Sequence, residues 1–432
     1  MVNNMDFVLK RIGDLCSSSC SGGTPKSTEP LYYEGGTIPW LTTGEVNFKD
    51  IYDTENKITE LGLKKSSAKF IPINSVIVAM YGVTAGKSAI NKIPLTTNQA
   101  CCNLQINEKI ANYRFVYYYL MMQSDQLNKL ANGGAQQNLN SIIIKKFKIN
   151  VPNLDNQNRI ANLLNKYDSL IGNNNKRIEL LGKTQEELFK EWFIRFRYPG
   201  SNFVNKKDSE LGKIPETFNI LKAGEIFDYY IGGGWGNDDY SDDFPVDAYV
   251  IRGTDFPFVS RGDVSTCPYR YHKVSNYNPR ELKGNDIILE ISGGTAEQPV
   301  GRAVLVSDAV LSQLDNKVIC ASFCKLIRPD YTKVTPGYLV SWLKYLYDSR
   351  MIERFQLQST GIINFQFEYF LKKGPILVAP LSLMNKFEEI TKPMRDEIDK
   401  LALENVLLIK QRDSLLPRLM SGKLSVEGKE IV

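Results

Sequence analysis

The chain has 432 residues, 43% of them hydrophobic and 23% charged, with a formal net charge of +5 and a pI near 8.6. Those values suit two or three soluble folded domains and exclude a disordered chain. No stretch approaches the roughly 20 uninterrupted apolar residues of a membrane span, the N-terminus lacks a secretory pattern, and the small charge excess permits nucleic-acid binding without requiring it.

Seven cysteines are an odd count, which argues against a complete disulfide framework and for reduced thiols in a cytosolic protein. Cys16 and Cys20, and Cys320 and Cys324, are spaced CxxxC rather than the CxxC of zinc sites, so no metal is expected. The single histidine, His272, lies in Tyr269-Arg270-Tyr271-His272-Lys273. It excludes serine–histidine and cysteine–histidine catalysis unless it serves itself, and it reads as a half-exposed strand residue.

In chain order, Asn74-Ser75 is a turn into an apolar strand ending at Ala79. Gly82-Val83-Thr84-Ala85-Gly86-Lys87-Ser88 follows. It resembles a phosphate-binding loop but has one residue too few before Gly86-Lys87, and Ile93-Pro94 interrupts any following helix. The preferred reading is a tight turn presenting Lys87 to a phosphate or base edge. Asn98 precedes an apolar, cysteine-bearing strand, Tyr119-Leu120 sits in an amphipathic helix, and Phe147 to Pro152 forms a strand. From Ile160 a three–four spacing runs through Leu164, Tyr167, Ile171, Asn174, Ile178, Leu181, Gln185, Leu188 and Trp192, with no proline from Asn153 to Tyr198. That spacing predicts a coiled-coil helix of roughly 50 Å, too long to pack on a small domain alone.

The same landmarks then return. Gly232-Gly233-Gly234-Trp235-Gly236, followed by Asp238, Asp239, Asp242 and Asp243, reads as a flexible surface loop whose acids would repel a phosphate. Asn285 to Glu290 repeats Asn74 to Ala79. Asp286 and Glu290 lack the lysine that nuclease metal chemistry wants, and read as a polar strand edge. Gly293, Gly294 and Gly301-Arg302-Ala303-Val304 repeat Gly82 and Gly86-Lys87-Ser88-Ala89. Asn316 repeats Asn98, Trp342-Leu343 repeats Tyr119-Leu120, Ile363-Asn364-Phe365 repeats Gln137-Asn138-Leu139, and Ile376 to Pro380 repeats Phe147 to Pro152. A second seam runs Phe387, Thr391, Met394, Ile398, Leu401, Asn405, Leu408, Arg412, Leu415 and Leu419, in the first seam's frame at a constant offset of 227 residues. Asn174 and Asn405 fall on the seams, where a polar residue costs stability and fixes register.

The predicted fold class is therefore α+β: two mixed α/β domains in internal repeat, separated by two long helices that pair as a coiled coil. The segments are 1–152 (first domain), 153–198 (central spacer helix), 199–380 (second domain), 381–421 (C-terminal spacer helix) and 422–432 (tail). No Asn-Pro-Pro-Tyr-type methyl-transfer motif is present, and no Gly-x-Gly-x-x-Gly follows a first strand.

Over nearly its full length this plan resembles the specificity subunit of type I restriction–modification systems. Local signatures carry the resemblance: Gly22-Gly23-Thr24-Pro25 after Ile12-Gly13-Asp14; Ile38-Pro39-Trp40-Leu41 leading to Thr43-Gly44-Glu45; Phe189-Lys190-Glu191-Trp192-Phe193; Leu211-Gly212-Lys213-Ile214-Pro215; and Leu415 to Leu424 at the end. The second domain departs from it, with Ala248-Tyr249-Val250 where Ile38-Pro39-Trp40 stands in the first. The resemblance implies two target-recognition domains with an antiparallel coiled-coil helix pair between them, reading a bipartite double-stranded DNA target across a gap. It implies a non-catalytic chain on which two modification (methyltransferase) subunits and restriction (motor-nuclease) subunits assemble. S-adenosylmethionine, ATP and Mg would sit on those partners, in a prokaryotic cytoplasm.

Base readout wants varied polar side chains on loops. The candidates are Thr42, Thr43 and Glu45 with their counterparts Arg252, Thr254 and Asp255; Tyr81, Thr84 and Lys87; Ser292, Thr295 and Arg302; Gln136, Gln137 and Asn138; and Ser359, Thr360 and Asn364. Apolar residues off the seams, Leu163, Leu170 and Leu180 on the first helix and Leu403, Leu407 and Ile409 on the second, are candidates for partner docking. Two other readings compete. A fused methyltransferase or nuclease would show stoichiometric S-adenosylmethionine binding or activity by the isolated chain. A scaffold unrelated to DNA would assemble without salt-dependent duplex binding.

Overall fold

Two asparagines start equivalent strands. Asn74 and Asn285 take left-handed backbone conformations, φ 64° and 72°, which asparagine tolerates better than most side chains. Each leads into a fully buried strand, Val76–Ala79 and Ile287–Glu290. The computed structural model describes residues 6–132, 139–201, 204–295, 298–359 and 362–426. They fall into two compact units, Met1–Leu170 with Leu408–Val432, and Ile171–Leu407.

The internal repeat is topological. Val76–Ala79 pairs antiparallel with Ser88–Asn91 on one side and with Cys101–Ile106 on the other, and Cys16–Ser21 completes that edge. Ile287–Glu290 pairs in the same way with Ala303–Leu305 and Cys324–Pro329, and Phe227–Gly232 lies at the corresponding edge. A parallel pair accompanies each sheet: Ile38–Leu41 with Leu95–Thr97, and Val246–Ile251 with Val318–Cys320. Val8–Arg11 pairs with Lys148–Val151 as Asn219–Lys222 pairs with Pro375–Val378. Amphipathic helices Tyr113–Met122 and Pro336–Asp348 pack their apolar faces on the cores.

One expected correspondence is corrected. Asn98 donates its backbone N–H to the Leu41 carbonyl, and it is Ala321, not Asn316, that donates to the equivalent Ile251 carbonyl (2.9 Å in both). The second repeat carries an extra short helix, Asp308–Gln313, between the strands concerned. That insertion moves Asn316 into a left-handed turn and shifts the alignment.

Helix α1 (Leu154–Phe189) continues into a π-helical turn, Lys190–Ile194, and helix α2 (Leu381–Met420) runs on through Pro393 and Pro417. Every seam residue is buried or half-buried. Within the Ile171–Leu407 unit, Ile178 and Leu181 pack with Ile398, Leu401 and Ala402. The Asn174 amide donates to Asn405 at 3.1 Å, and the Asn405 amide donates to Asn175 at 2.9 Å. Arg177 pairs with Glu397 at 2.7 Å. Within the other unit, Ile160 and Leu164 share a core with Leu416 and Leu419. There Asp168 accepts from Arg412 and from the Tyr118 hydroxyl, both at 2.6 Å. Partners that ascend on α1 descend on α2, so the helices pair antiparallel. Leu170, Leu180, Leu403, Leu407 and Ile409 are exposed, while Leu163 is half-buried against the core.

Candidate nucleic-acid interface

In the first repeat, strand Ile38–Leu41 runs directly into Thr42 and the 3-10 turn Thr43–Glu45. A turn of three residues leaves backbone donors unmet, and Glu45 meets them. Its buried carboxylate accepts from the Thr42 N–H at 3.2 Å, the Thr42 hydroxyl at 3.4 Å and the Glu55 N–H at 3.0 Å. Glu45 thus turns inward, and Thr42 and Thr43 stay half-exposed. The turn after the next buried strand docks here, because the Thr84 hydroxyl donates to the Thr43 carbonyl at 2.7 Å. Tyr81 is exposed on that turn, and Thr84 is buried. Lys87 donates to the neutral amide oxygen of Asn47 at 2.9 Å and lies over the Phe48 ring. Thr42, Thr43, Glu45, Tyr81, Thr84 and Lys87 therefore form one corner. Gln136, Gln137 and Asn138 lie outside the described residues.

The second repeat builds the same corner with different charges. Arg252 precedes the turn Gly253–Asp255, and Asp255 is buried as Glu45 is. Asp255 accepts from the Arg252 N–H and guanidinium, all at 2.9 Å, and from the Thr266 hydroxyl at 2.8 Å. Gly253 sits so close to the Glu290 carboxylate that a Cβ would overlap it. Glu290 in turn holds Arg302 in a two-pronged ion pair, at 2.9 and 2.5 Å. Glu290 and Asp286 were expected on a polar strand edge. Both are buried, Glu290 at the end of a central strand and Asp286 just before that strand begins, and Asp286 is paired with Arg328 at 2.8 Å. A carboxylate in that position needs a cation to offset its desolvation. Arg302 faces inward for this reason. Ser292 donates to Asn364 at 2.7 Å, the Thr295 hydroxyl accepts from the Gln298 N–H at 3.1 Å, and Thr254 is exposed. The side chain of Ser359 and all of Thr360 lie outside the described residues.

A glycine pair borders each corner. The Gly22 and Gly23 N–H groups donate to the carbonyls of Cys101 and Thr97. Those of Gly233 and Gly234 donate to Cys324 and Cys320, one for one. A Cβ on Gly22 would overlap the Thr97 and Asn98 carbonyls, and one on Gly233 those of Ala321 and Cys320. The glycine-rich run at 232–236 is thus no free surface loop but the second copy of the Gly22-Gly23 signature. The signal was available in the spacing: Gly22 to Gly233 is 211 residues, and Leu41 to Ile251 is 210.

His272 is fully buried rather than half-exposed. Strand alternation turns it inward beneath Gly236, and neither ring nitrogen has a partner among the described residues. Burial, helped by nearby Arg270, pulls its pKa down. The seven thiols are all free, and burial pushes Cys16 up to about 11 and Cys102 and Cys320 up to about 12. Those three stay protonated and inert at neutral pH. Among the described residues no group of acidic, cysteine or histidine side chains is placed to hold a metal, and no helix is long and apolar enough to cross a membrane.

The chain is similar to known proteins over nearly its full length. A family model described as the type I restriction modification DNA specificity domain matches residues 4–182. The type I restriction enzyme MjaIX specificity subunit of Methanocaldococcus jannaschii is similar at 25% identity, over 98% of this chain and 94% of its own. The EcoR124I/EcoR124II specificity subunit of Escherichia coli is 30% identical over 187 residues, 41% of this chain and 46% of its own. The crystal structure of a type I restriction–modification S subunit from M. genitalium shares the fold, with a TM-score of 0.56 at 18% identity over 96% of both chains.

Proposed function

The chain belongs to the specificity subunits of type I restriction–modification systems, and on that premise we propose that each of its repeats reads one half-site of a bipartite double-stranded DNA target. The observation that carries this reading is the corner built twice. In both repeats the same strand ends bring threonine, serine, asparagine, lysine or arginine side chains to one edge, on loops pinned by buried capping carboxylates. Pinned polar loops are what base readout needs, since a mobile donor loses entropy on each contact.

As a specificity subunit the chain is the recognition component and not the enzyme. Two modification subunits dock on the exposed apolar residues of α1 and α2, with Leu180 and Leu407 central, and restriction subunits join the complex. Methyl transfer with S-adenosylmethionine, and ATP- and Mg-dependent cleavage, take place on those partners, in the cytoplasm. Leu407→Asp weakens assembly with the modification subunits and leaves the melting temperature of the chain unchanged, because the side chain is exposed. Leu163→Asp is the less clean test, since that residue also packs on the core.

The decisive experiment is a domain exchange read by methylation mapping. Residues 1–152 are replaced by the first domain of another family member, and the methylated motif is sequenced in cells. One half-site changes and the other stays. A hybrid that changes both half-sites, or a complex whose duplex affinity ignores salt, defeats the reading.

A further inference from the structure

We propose that Val83 reads a thymine 5-methyl group in the half-site bound by the first repeat, an inference that rests on the DNA-recognition reading above. Val83 is 95% exposed, at the centre of the one-turn helix Gly82–Thr84. Single exposed apolar residues are ordinary on protein surfaces. Val83 differs in being held out by a built turn.

The Ala85 N–H donates to Gly82, the Gly86 N–H to Ala79 and the Lys87 N–H to Thr84, at 2.9 to 3.1 Å, while the Thr84 hydroxyl is bonded to Thr43. Gly82 and Gly86 hold φ values of 77° and 83°, which favour glycine. A Cβ on Gly86 would crowd the Ser124 carbonyl. The turn therefore has little freedom to fold the valine back, and a β-branched side chain gives up little rotamer entropy on contact.

Around it stand Thr42, Thr43 and Lys87, groups suited to hydrogen-bond base edges and phosphates. The apolar feature that DNA offers such a side chain is the thymine methyl in the major groove. The second repeat is built otherwise. Its equivalent loop opens with Ser292-Gly293-Gly294-Thr295, which has no apolar side chain. Phe323, on the neighbouring turn, is 66% exposed there, while its counterpart Ala100 in the first repeat is 7% exposed. The backbone bonds match, Met80 to Ala100 and Ile291 to Phe323, both 2.8 Å.

The test uses the full chain assembled with its modification subunits and duplexes carrying the methylated motif found by sequencing. Each thymine of the first half-site is replaced in turn by deoxyuridine, which removes only the methyl. At one or two positions the affinity falls about fourfold, the equivalent of roughly 0.8 kcal/mol for one buried methyl group. Val83→Ala binds the thymine duplex correspondingly more weakly and no longer distinguishes uracil, and Val83→Ile keeps the discrimination. Equal affinity of the wild type for both duplexes at every position overturns the inference, as does full discrimination by Val83→Ala. Either result leaves salt-dependent duplex binding intact. If no duplex binds with salt dependence, the recognition reading itself fails and takes this inference with it.

Discussion

Lys87 and Arg302 occupy the same place in the two repeats and serve different ends. Each follows a left-handed glycine, and each offers its carbonyl to a mid-sheet N–H, that of Ala79 in one repeat and Glu290 in the other. The residue donating that bond decides the fate of the cation. Ala79 makes no electrostatic demand, so Lys87 reaches a neutral amide at the surface. Glu290 is a buried carboxylate, so Arg302 is drawn in to neutralise it. The first corner keeps this cation at the surface, and the second has it committed to the fold. Equivalent backbone does not mean an equivalent surface, because one buried substitution redirects a neighbouring side chain.

The largest effect that can break this comparison is on stability. Arg302→Leu strands Glu290 and costs about 3–5 kcal/mol in denaturant unfolding. The double variant Arg302→Leu with Glu290→Leu recovers most of that loss. If the single variant is as stable as the wild type, Arg302 is not the structural residue described here.

Next comes the helix pair, where both repeats contribute the same residue. Asn405→Ala removes the partner of Asn174, buried in the seam, and of Asn175 beside it. A loss of about 1–3 kcal/mol is expected. Replacing Asn174 and Asn405 together by leucine raises stability while relaxing register, which a shift in disulfide cross-linking between engineered cysteine pairs along α1 and α2 would reveal.

A smaller difference is set by pH. Only the second repeat contains a histidine, and its buried ring holds a proton less readily than the ordinary value of 6.5. The unfolded chain therefore takes up a proton that the folded chain refuses. The stability His272 lends is full above about pH 7 and is lost as pH falls below about 6.5. His272→Leu flattens the stability of the second repeat between pH 7 and 5, and an unchanged slope would show that other groups control it.

The smallest stability effect sharpens the comparison most. Lys87→Gln changes stability by less than about 0.5 kcal/mol but lowers the salt slope of duplex binding by about 1. A slope that does not move means Lys87 touches no phosphate.

The heptad frame, the pairing of the two long helices and the order domain, helix, domain, helix were legible in the residues alone. Periodicity is a local property, and a seam that repeats every 3.5 residues needs no knowledge of its partner to be recognised. The turns led by Asn74 and Asn285, and the glycines at 86 and 301, were legible for a like reason, since φ preference belongs to the residue itself. Tertiary structure alone decided which polar candidates face outward. Glu45, Asp255 and Thr84 carry the right chemistry for DNA, yet packing turns them onto backbone donors and carbonyls. It also decided that Gly233 answers Gly22, that Ala321 rather than Asn316 answers Asn98, and that Val83 stands clear of the fold. These outcomes depend on neighbours far apart in the chain, because desolvation and hydrogen-bond satisfaction are settled only once the strands that supply the partners have come together.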